Sequence, residues 1–380
     1  MDRFKKANQN KKYVDDSRID VTFTREYLDK TSDSGCYAET NLGSPEQLAS
    51  AKRKLRPVLN FHKNPKIVLS VGVGSGAELL ALHELFESRG VTIKGLDLSS
   101  IVIEKAKVML KKYDISPEFV VGSAIALPFD SCSIDILIES AILHEIYSYV
   151  PDGKWAWKKA IVDVANCLSE NGIFLLRDFS SPTEKEIELE FKSDFSRKFY
   201  EYFVRYYRVF DKWGGGSSKI LDKRTEFSND YPKMNEDKSI RLNLTKTAEL
   251  MLHFRNFLDD YSHNIAEFMD SSWKEINETY LVPNPNRPDV TPMVKEEYVN
   301  EVIATANEAL KGSNYELICL QDVLSKRLST AKLLKEHFNI RDIEAGNETD
   351  NAFVQITEKM ELIFKKIRRQ DPHSLIRSKE

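Results

Sequence analysis

The sequence predicts an α/β fold in which a parallel β-sheet carries helices on both faces. Three observations lead to this prediction. Apolar strands and amphipathic helices alternate along residues 66–182, and the strands are almost continuously apolar, as in sheets buried on both faces. A glycine-rich turn separates the first strand from its helix, and an acidic residue, Asp97, ends the second strand. This arrangement is typical of domains that bind a nucleoside cofactor.

The elements of this domain follow from the period of the apolar residues. Before it, Ser44 and Pro45 supply a cap and a first helical residue for a helix over 44–58, within a helical extension at 1–60. The apolar runs predict strands at 67–71, 92–96, 118–121, 133–138 and 173–178, with helices at 77–88, 101–113 and 155–168.

The character of the chain changes after residue 182. Aromatic residues spaced by three and four predict one long amphipathic helix over 185–210. Further helices are predicted at 248–261, 295–310 and 321–337, with a flexible loop at 214–218 and a short strand at 352–356. We therefore expect three parts: a helical extension (1–60), a cofactor-binding core (61–182) and a mainly α-helical accessory or substrate-recognition region (183–380).

The spacing of the glycines indicates which cofactor is bound. Gly72, Gly74 and Gly76 form a GxGxG pattern, whereas the dinucleotide fingerprint GxGxxG needs its third glycine at position 77, where this chain has Ala77. This spacing disfavours a nicotinamide dinucleotide. Asp97 follows Gly76 by 21 residues, at a strand end where a carboxylate can accept hydrogen bonds from both ribose hydroxyls.

Four motifs in this order resemble those of the class I S-adenosylmethionine (SAM) dependent methyltransferases, particularly the group that includes quinone-biosynthesis enzymes. They are the glycine turn, Asp97 within KGLDLS, the segment VVGSAIALPFDSCSIDIL, and LSENGIFLLRDF at residues 168–179. The resemblance covers about residues 66–182 and implies a Rossmann-like core, SAM as cofactor and S-adenosylhomocysteine as product. It does not extend to the C-terminal 200 residues.

The same resemblance assigns cofactor contacts to the carboxyl ends of the strands and the turns that follow them: Gly72, Gly74, Gly76, Asp97, Leu98, Ser123, Ala124 and Glu139. Ser123 and Ala124 would lie beside the adenine. Two positions depart from the family pattern, since Ser70 and Ser123 stand where relatives often have acidic residues. Each exchange replaces a charge-assisted contact by a neutral one. An inactive methyltransferase fold that only binds a ligand therefore stays open as an alternative.

The candidate catalytic residues follow the fourth and fifth strands. His144 is the candidate base because its side chain titrates near neutral pH, and Glu145 is placed to orient it. Asp178 ends the fifth strand beside Arg177, where the pair would contact an acceptor or hold the next loop by a salt bridge. A capping or packing role for His144, with Glu145 in solvent, remains equally open. A zinc site is not expected, since HExxH would need histidine where the chain has Ser148.

Composition favours a small-molecule acceptor over nucleic acid, and a protein acceptor stays open. The net charge of −4 gives no broad basic field, and residues 139–143 lack the asparagine and prolines of an NPPY-like motif. Basic residues near both ends keep an RNA acceptor open, and a homodimer formed through the helical region stays open as well. No apolar run approaches the ~18 residues of a membrane span, and the four cysteines are widely spaced. We expect a cytoplasmic enzyme with no membrane partner.

Overall fold

The computed structural model describes residues 45–86, 89–150, 152–181, 185–206, 231–244, 246–247, 250, 293–311, 314–325, 336–343 and 359–369. The chain divides into two compact units. The first comprises Met1–Arg177, Val299–Asp322 and Glu361–Glu380, and the second comprises Asp178–Tyr298 and Val323–Met360.

Numbered along the chain, the described helices are α1 (Pro45–Leu55), α2 (Ala77–Phe86), α3 (Ser100–Lys111), α4 (Leu143–Tyr149), α5 (Gly153–Cys167), α6 (Asp194–Tyr206) and α7 (Lys295–Ala309). The described strands are β1 (Ile67–Val71), β2 (Thr92–Asp97), β3 (Glu118–Val121), β4 (Ile134–Ser140), β5 (Leu168–Phe179), β6 (Glu186–Phe191), β7 (Ser239–Asn243), β8 (Tyr315–Ser325), β9 (Phe338–Asp342) and β10 (Lys359–Arg368). A short 3-10 helix, Arg56–Asn60, follows α1, with Pro57 in its first turn.

The first unit is built on a seven-stranded sheet with the order β3-β2-β1-β4-β5-β10-β8. The pairs β3–β2, β2–β1, β1–β4 and β4–β5 are parallel. Because parallel neighbours need a crossover between them, the helices that connect these strands cover the sheet. The predicted α/β fold is confirmed.

Both faces of the sheet are buried. Val68 and Ile136 contribute to an apolar cluster that also contains residues of α1, α2 and α3. Leu69, Leu137 and Phe174 are also fully buried, and the first two point to the opposite face because side chains alternate along a strand. Each such side chain contributes about 1.5–3 kcal/mol when it leaves water. Burial on both faces explains why these strands have almost continuous apolar sequences.

Asp135 ties three strands together at the start of β4. Its carboxylate accepts hydrogen bonds from the backbone amides of Lys66 (2.7 Å) and Ile67 (3.1 Å) and from the hydroxyl of Ser169 (2.7 Å). Burial alone would raise the pKa of Asp135, but the hydrogen bonds from Ser169 and the two amides outweigh it and lower that pKa. The amino ends of β1, β4 and β5 are thus fixed to one another.

Two strands from beyond residue 182 complete the core sheet. β10 lies next to β5, and β8 lies next to β10. We predicted a core that ends at residue 182, a helix over 321–337 and a charged segment after the strand at 352–356. The structure differs because β8 extends through residue 325 and β10 carries buried apolar residues, including Leu362 and Phe364, into the sheet.

The second unit contains a three-stranded antiparallel sheet with the order β7-β6-β9. The predicted helix over 185–210 is wrong at its start, since residues 186–191 form β6 and α6 begins only at Asp194. The segment EIELEF alternates charged and apolar residues, which is the period of a strand. Ile187 and Leu189 are fully buried, whereas Glu188 accepts hydrogen bonds from Arg241 and Arg341.

The described residues beyond 182 therefore mix strands and helices, where we predicted a mainly helical region. The helix predicted at 295–310 is confirmed as α7. The predictions for residues 1–44, the loop at 214–218, most of the helix at 248–261 and the strand at 352–356 lie outside the described residues.

Candidate functional site

The glycine turn lies at the carboxyl end of β1, in the middle of the sheet. Gly72, Gly74 and Gly76 all have positive φ angles, of 79°, 49° and 81°. The Gly72 amide donates a 2.8 Å hydrogen bond to the carbonyl of Leu96, which holds the turn against β2. A Cβ atom at Gly72 would stand 2.2 Å from Cδ1 of Ile142, whereas a Cβ at Gly74 would meet nothing within 4 Å. The backbone at Gly74 is thus open to close approach by a ligand.

Asp97 joins this turn to the end of β2. Its Oδ2 accepts a hydrogen bond from the Gly74 amide (3.3 Å) and its Oδ1 accepts one from the Ser99 amide (2.9 Å). Burial raises the pKa of Asp97, and the amides of Ser99 and Gly74 act against that shift. The amides of Val73 and Leu98 also lower that pKa, and the two hydrogen bonds from Gly74 and Ser99 occupy two of the roughly four acceptor positions of a carboxylate. Leu98, the next residue, is half-buried.

The loop after β3 lies beside the same edge. The Gly122 amide donates to the carbonyl of Asp97 (2.9 Å). Ser123 is half-buried and its hydroxyl accepts a hydrogen bond from the Ile125 amide (3.3 Å), while Ala124 is buried. Two of the predicted contact residues thus follow β3, directly after a backbone link to the end of β2.

The end of β4 contributes two polar residues. Glu139 is fully buried and stands opposite Val71 in the parallel register of β1 and β4. Ser140, the last residue of β4, accepts a hydrogen bond at its hydroxyl from Nη1 of Arg177 (3.1 Å). Nε of Arg177 also donates to Glu361 on β10 (2.6 Å) in a buried ion pair. β10 is therefore bound to the carboxyl ends of β4 and β5.

The candidate catalytic residues are in two places. His144 and Glu145 lie in the first turn of α4, just after β4, where His144 is buried and Glu145 half-buried. Asp178 belongs to the second unit. Its carboxylate accepts hydrogen bonds from the Tyr298 hydroxyl (3.3 Å) and from the Phe179 amide (2.9 Å), which ties the end of β5 to the start of α7.

Two charged residues were not predicted from the sequence: Glu361, the ion-pair partner of Arg177, and Lys54. Glu361 was not singled out, because it lies in a segment rich in charged residues that lacks a helical period. Lys54 on α1 was also not singled out. Burial lowers its pKa, as does the charge of Arg177, while the charges of Glu78 and Glu361 act in the opposite direction. Only the fold brings these charges together, and no local sequence signal marks them.

The residues that the structure describes lack two further features. Within the described ranges, no helix combines the length and apolar character that crossing a bilayer would require. The same residues contain no cluster of three or more histidine, cysteine, aspartate or glutamate side chains arranged to hold a metal ion.

Comparison with known proteins gives one family. Residues 69–176 match the family described as Methyltransferase domain. The match begins in β1 and ends in β5, so it contains the glycine turn, Asp97, the loop after β3 and the start of α4. No curated protein sequence matched the chain.

Solved structures that this chain resembles include the following three, which differ in sequence identity and in coverage. A protein from Pyrococcus horikoshii OT3 is 25% identical with a TM-score of 0.31, over 37% of this chain and 62% of that one. The YcgJ protein from Bacillus subtilis is 15% identical with a TM-score of 0.36, over 86% of this chain and 100% of that one. A SAM-dependent methyltransferase from Methanosarcina mazei is 12% identical with a TM-score of 0.37, over 83% of this chain and 98% of that one.

Proposed function

We propose that this chain, which carries a class I methyltransferase domain at residues 69–176, is an enzyme that transfers a methyl group from SAM to a small-molecule acceptor. The observation that carries the proposal is the hydrogen bond between Asp97 and the amide of Gly74. It fixes a carboxylate beside an open glycine turn at the carboxyl edge of the sheet, where open α/β sheets bind their ligands.

The residues at this edge fit the cofactor. The Gly74 backbone has no neighbour within 4 Å of a notional Cβ atom, which leaves room for a ligand. Asp97 would accept hydrogen bonds from ribose hydroxyls, and Leu98 follows it. The half-buried Ser123 and the buried Ala124 would border the adenine. Glu139 is placed at the end of β4, on the other side of β1 from Asp97.

The chemistry follows from these positions. Bound SAM would supply a methyl group on a positively charged sulfur; an acceptor atom would bond to the methyl carbon in line as the carbon–sulfur bond breaks, and S-adenosylhomocysteine would leave. The chain's own task is to hold both molecules in register and to exclude water. His144, in the first turn of α4, would take the proton that an oxygen or nitrogen acceptor loses, and Glu145 would orient its ring.

The acceptor side of the proposal rests on charge and on the second unit. With a net charge of −4, the chain offers no general attraction for RNA. The second unit begins at Asp178, within β5. We assign it the role of acceptor recognition, in which Asp178 positions α7 through Tyr298.

Thermal unfolding with SAM, S-adenosylhomocysteine and NAD, each added separately, tests the proposal. A ligand at 100 times its dissociation constant stabilises the protein by about 2.7 kcal/mol, which corresponds to a shift of a few degrees. We expect both adenosyl compounds to stabilise the protein and NAD to have no effect. A response to NAD alone would refute the cofactor assignment. A response to none would favour an inactive fold, with Ser70 and Ser123 as the first residues to examine.

A further inference from the structure

Two opposite charges near the glycine turn have no role in the proposal so far. Glu78 lies in the first turn of α2, two residues after the last glycine, and is half-buried. Its Oε2 accepts a hydrogen bond of 3.4 Å from the hydroxyl of Ser70, a fully buried residue near the carboxyl end of β1. The Glu78 carboxylate is therefore held beside the end of β1, next to the turn.

Lys54 provides the positive charge. It projects from α1, the helix that packs against α2, and is half-buried. Burial and the charge of Arg177 lower the pKa of Lys54, and the charges of Glu78 and Glu361 act in the opposite direction, so Lys54 lies within electrostatic reach of Glu78. Among the described residues, however, neither group forms a direct ion pair. A half-buried charge without a direct counterion loses hydration without full compensation.

Two neighbouring pairs of charges, by contrast, are in direct contact. Lys52 and Glu84, which lie on the same two helices, form a salt bridge with each other. Arg177 and Glu361 also form a direct ion pair. Within the described ranges, Lys54 and Glu78 are thus two charges of opposite sign without a direct ion pair, and Glu78 lies beside the turn where a ligand is expected.

The sheet order indicates which part of the cofactor would reach them. β2, with Asp97, lies on one side of β1, and β4 lies on the other. A cofactor whose ribose is held at β2 and whose chain crosses the glycine turn extends its remaining end away from β2. In SAM and S-adenosylhomocysteine, that end is an amino acid, which carries one ammonium and one carboxylate.

We propose that Glu78 and Lys54 bind the amino-acid end of the cofactor, with Glu78 accepting hydrogen bonds from its ammonium and Lys54 contacting its carboxylate. This inference rests on the proposed function. It also assigns a role to Ser70, whose hydroxyl holds the Glu78 carboxylate in place. Each new contact is charge-assisted, of the kind that is stronger than a hydrogen bond between neutral groups.

The test compares two ligands by titration calorimetry. S-adenosylhomocysteine has the amino-acid end, and 5′-methylthioadenosine has the same adenosine and thioether without it. We expect Glu78→Gln and Lys54→Met each to weaken binding of S-adenosylhomocysteine by roughly 10- to 100-fold, since 1.4 kcal/mol is a tenfold change. Binding of 5′-methylthioadenosine should stay within about threefold, because none of the lost contacts reaches it.

Lys52→Met and Glu84→Gln are the matched controls, since they remove the same charges from the same helices, and we expect them to leave both affinities unchanged. Binding of 5′-methylthioadenosine also reports that each variant is folded. Suppose that the wild type binds both ligands. If Glu78→Gln or Lys54→Met then has unchanged affinity for both ligands, or affinity that is reduced equally for both, this inference alone is overturned. If the wild type binds neither ligand, the proposed function is overturned together with it.

Discussion

Replacing Gly72 by alanine perturbs the cofactor turn in two separable ways. The first is conformational: Gly72 has φ of 79°, and a residue with a Cβ pays about 1–2 kcal/mol there. The second is crowding, because the new Cβ would stand 2.2 Å from Cδ1 and 2.8 Å from Cγ1 of Ile142. Overpacking of this kind costs about 1–3 kcal/mol. We therefore expect a total loss of roughly 2–5 kcal/mol, a large part of a typical domain's stability.

Two further variants separate these contributions. Gly74 has a positive φ of 49°, and a Cβ atom there would meet nothing within 4 Å. Gly74→Ala should therefore lower the free energy of unfolding only by the conformational contribution, about 1–2 kcal/mol. Ile142→Ala removes the clashing atoms, so the double variant with Gly72→Ala should be more stable than the sum of the single effects by about 1–3 kcal/mol. The midpoints of urea unfolding give the stability of the three single variants and the double variant. Strict additivity, or equal losses for Gly72→Ala and Gly74→Ala, would refute the geometry of the turn.

Three other predictions concern the ribose, the acceptor proton and the C-terminal strand. Asp97→Ala should weaken S-adenosylhomocysteine binding by about 100-fold or more, through the loss of two charge-assisted hydrogen bonds. Unchanged affinity would remove the ribose assignment. His144→Ala should lower turnover of an identified acceptor by roughly 10²–10⁴-fold with unchanged cofactor affinity, and intact turnover would place the base elsewhere. Glu361→Gln should cost about 3–5 kcal/mol in urea unfolding because Arg177 is left buried without its counterion. Arg177→Met combined with Glu361→Leu should cost less than either single change, whereas additive losses would show that the two residues are uncoupled.

The parallel core was predictable because its signals are local. Largely apolar runs marked β1 and β4, and glycine spacing with Asp97 marked the cofactor edge. These features depend on residues close together in the chain, so periodicity and spacing reveal them without knowledge of the fold.

β10 shows why the rest could not be predicted. Its sequence, KMELIFKKIR, looks like a solvent-exposed charged segment, yet Glu361 and Lys366 are buried. Glu361 pairs with Arg177, and the ammonium of Lys366 donates to the carbonyls of Ala165 (3.0 Å) and Leu168 (2.8 Å) at the end of α5. These partners are about 180 to 200 residues away in sequence. The sequence near β10 therefore does not show that its charged residues are paired inside the core.

β6 illustrates a different kind of failure. The aromatic residues of α6 have helical spacing. The predicted helix began at residue 185 and therefore included β6, whose residues have the period of a strand. The alternation of Ile187 and Leu189 with glutamates was visible in the sequence. The strand period of β6 ends and the helical period of α6 begins at Lys192 and Ser193, and the helical period covers the longer segment.

A crystal structure of the full chain with S-adenosylhomocysteine tests the central claim most directly. The account predicts one ligand at the carboxyl edge of β1 and β2, with its ribose hydroxyls on the Asp97 carboxylate and its thioether chain crossing the turn at Gly74. A ligand bound at another place in the chain, or one at this edge whose ribose does not contact Asp97, would contradict it.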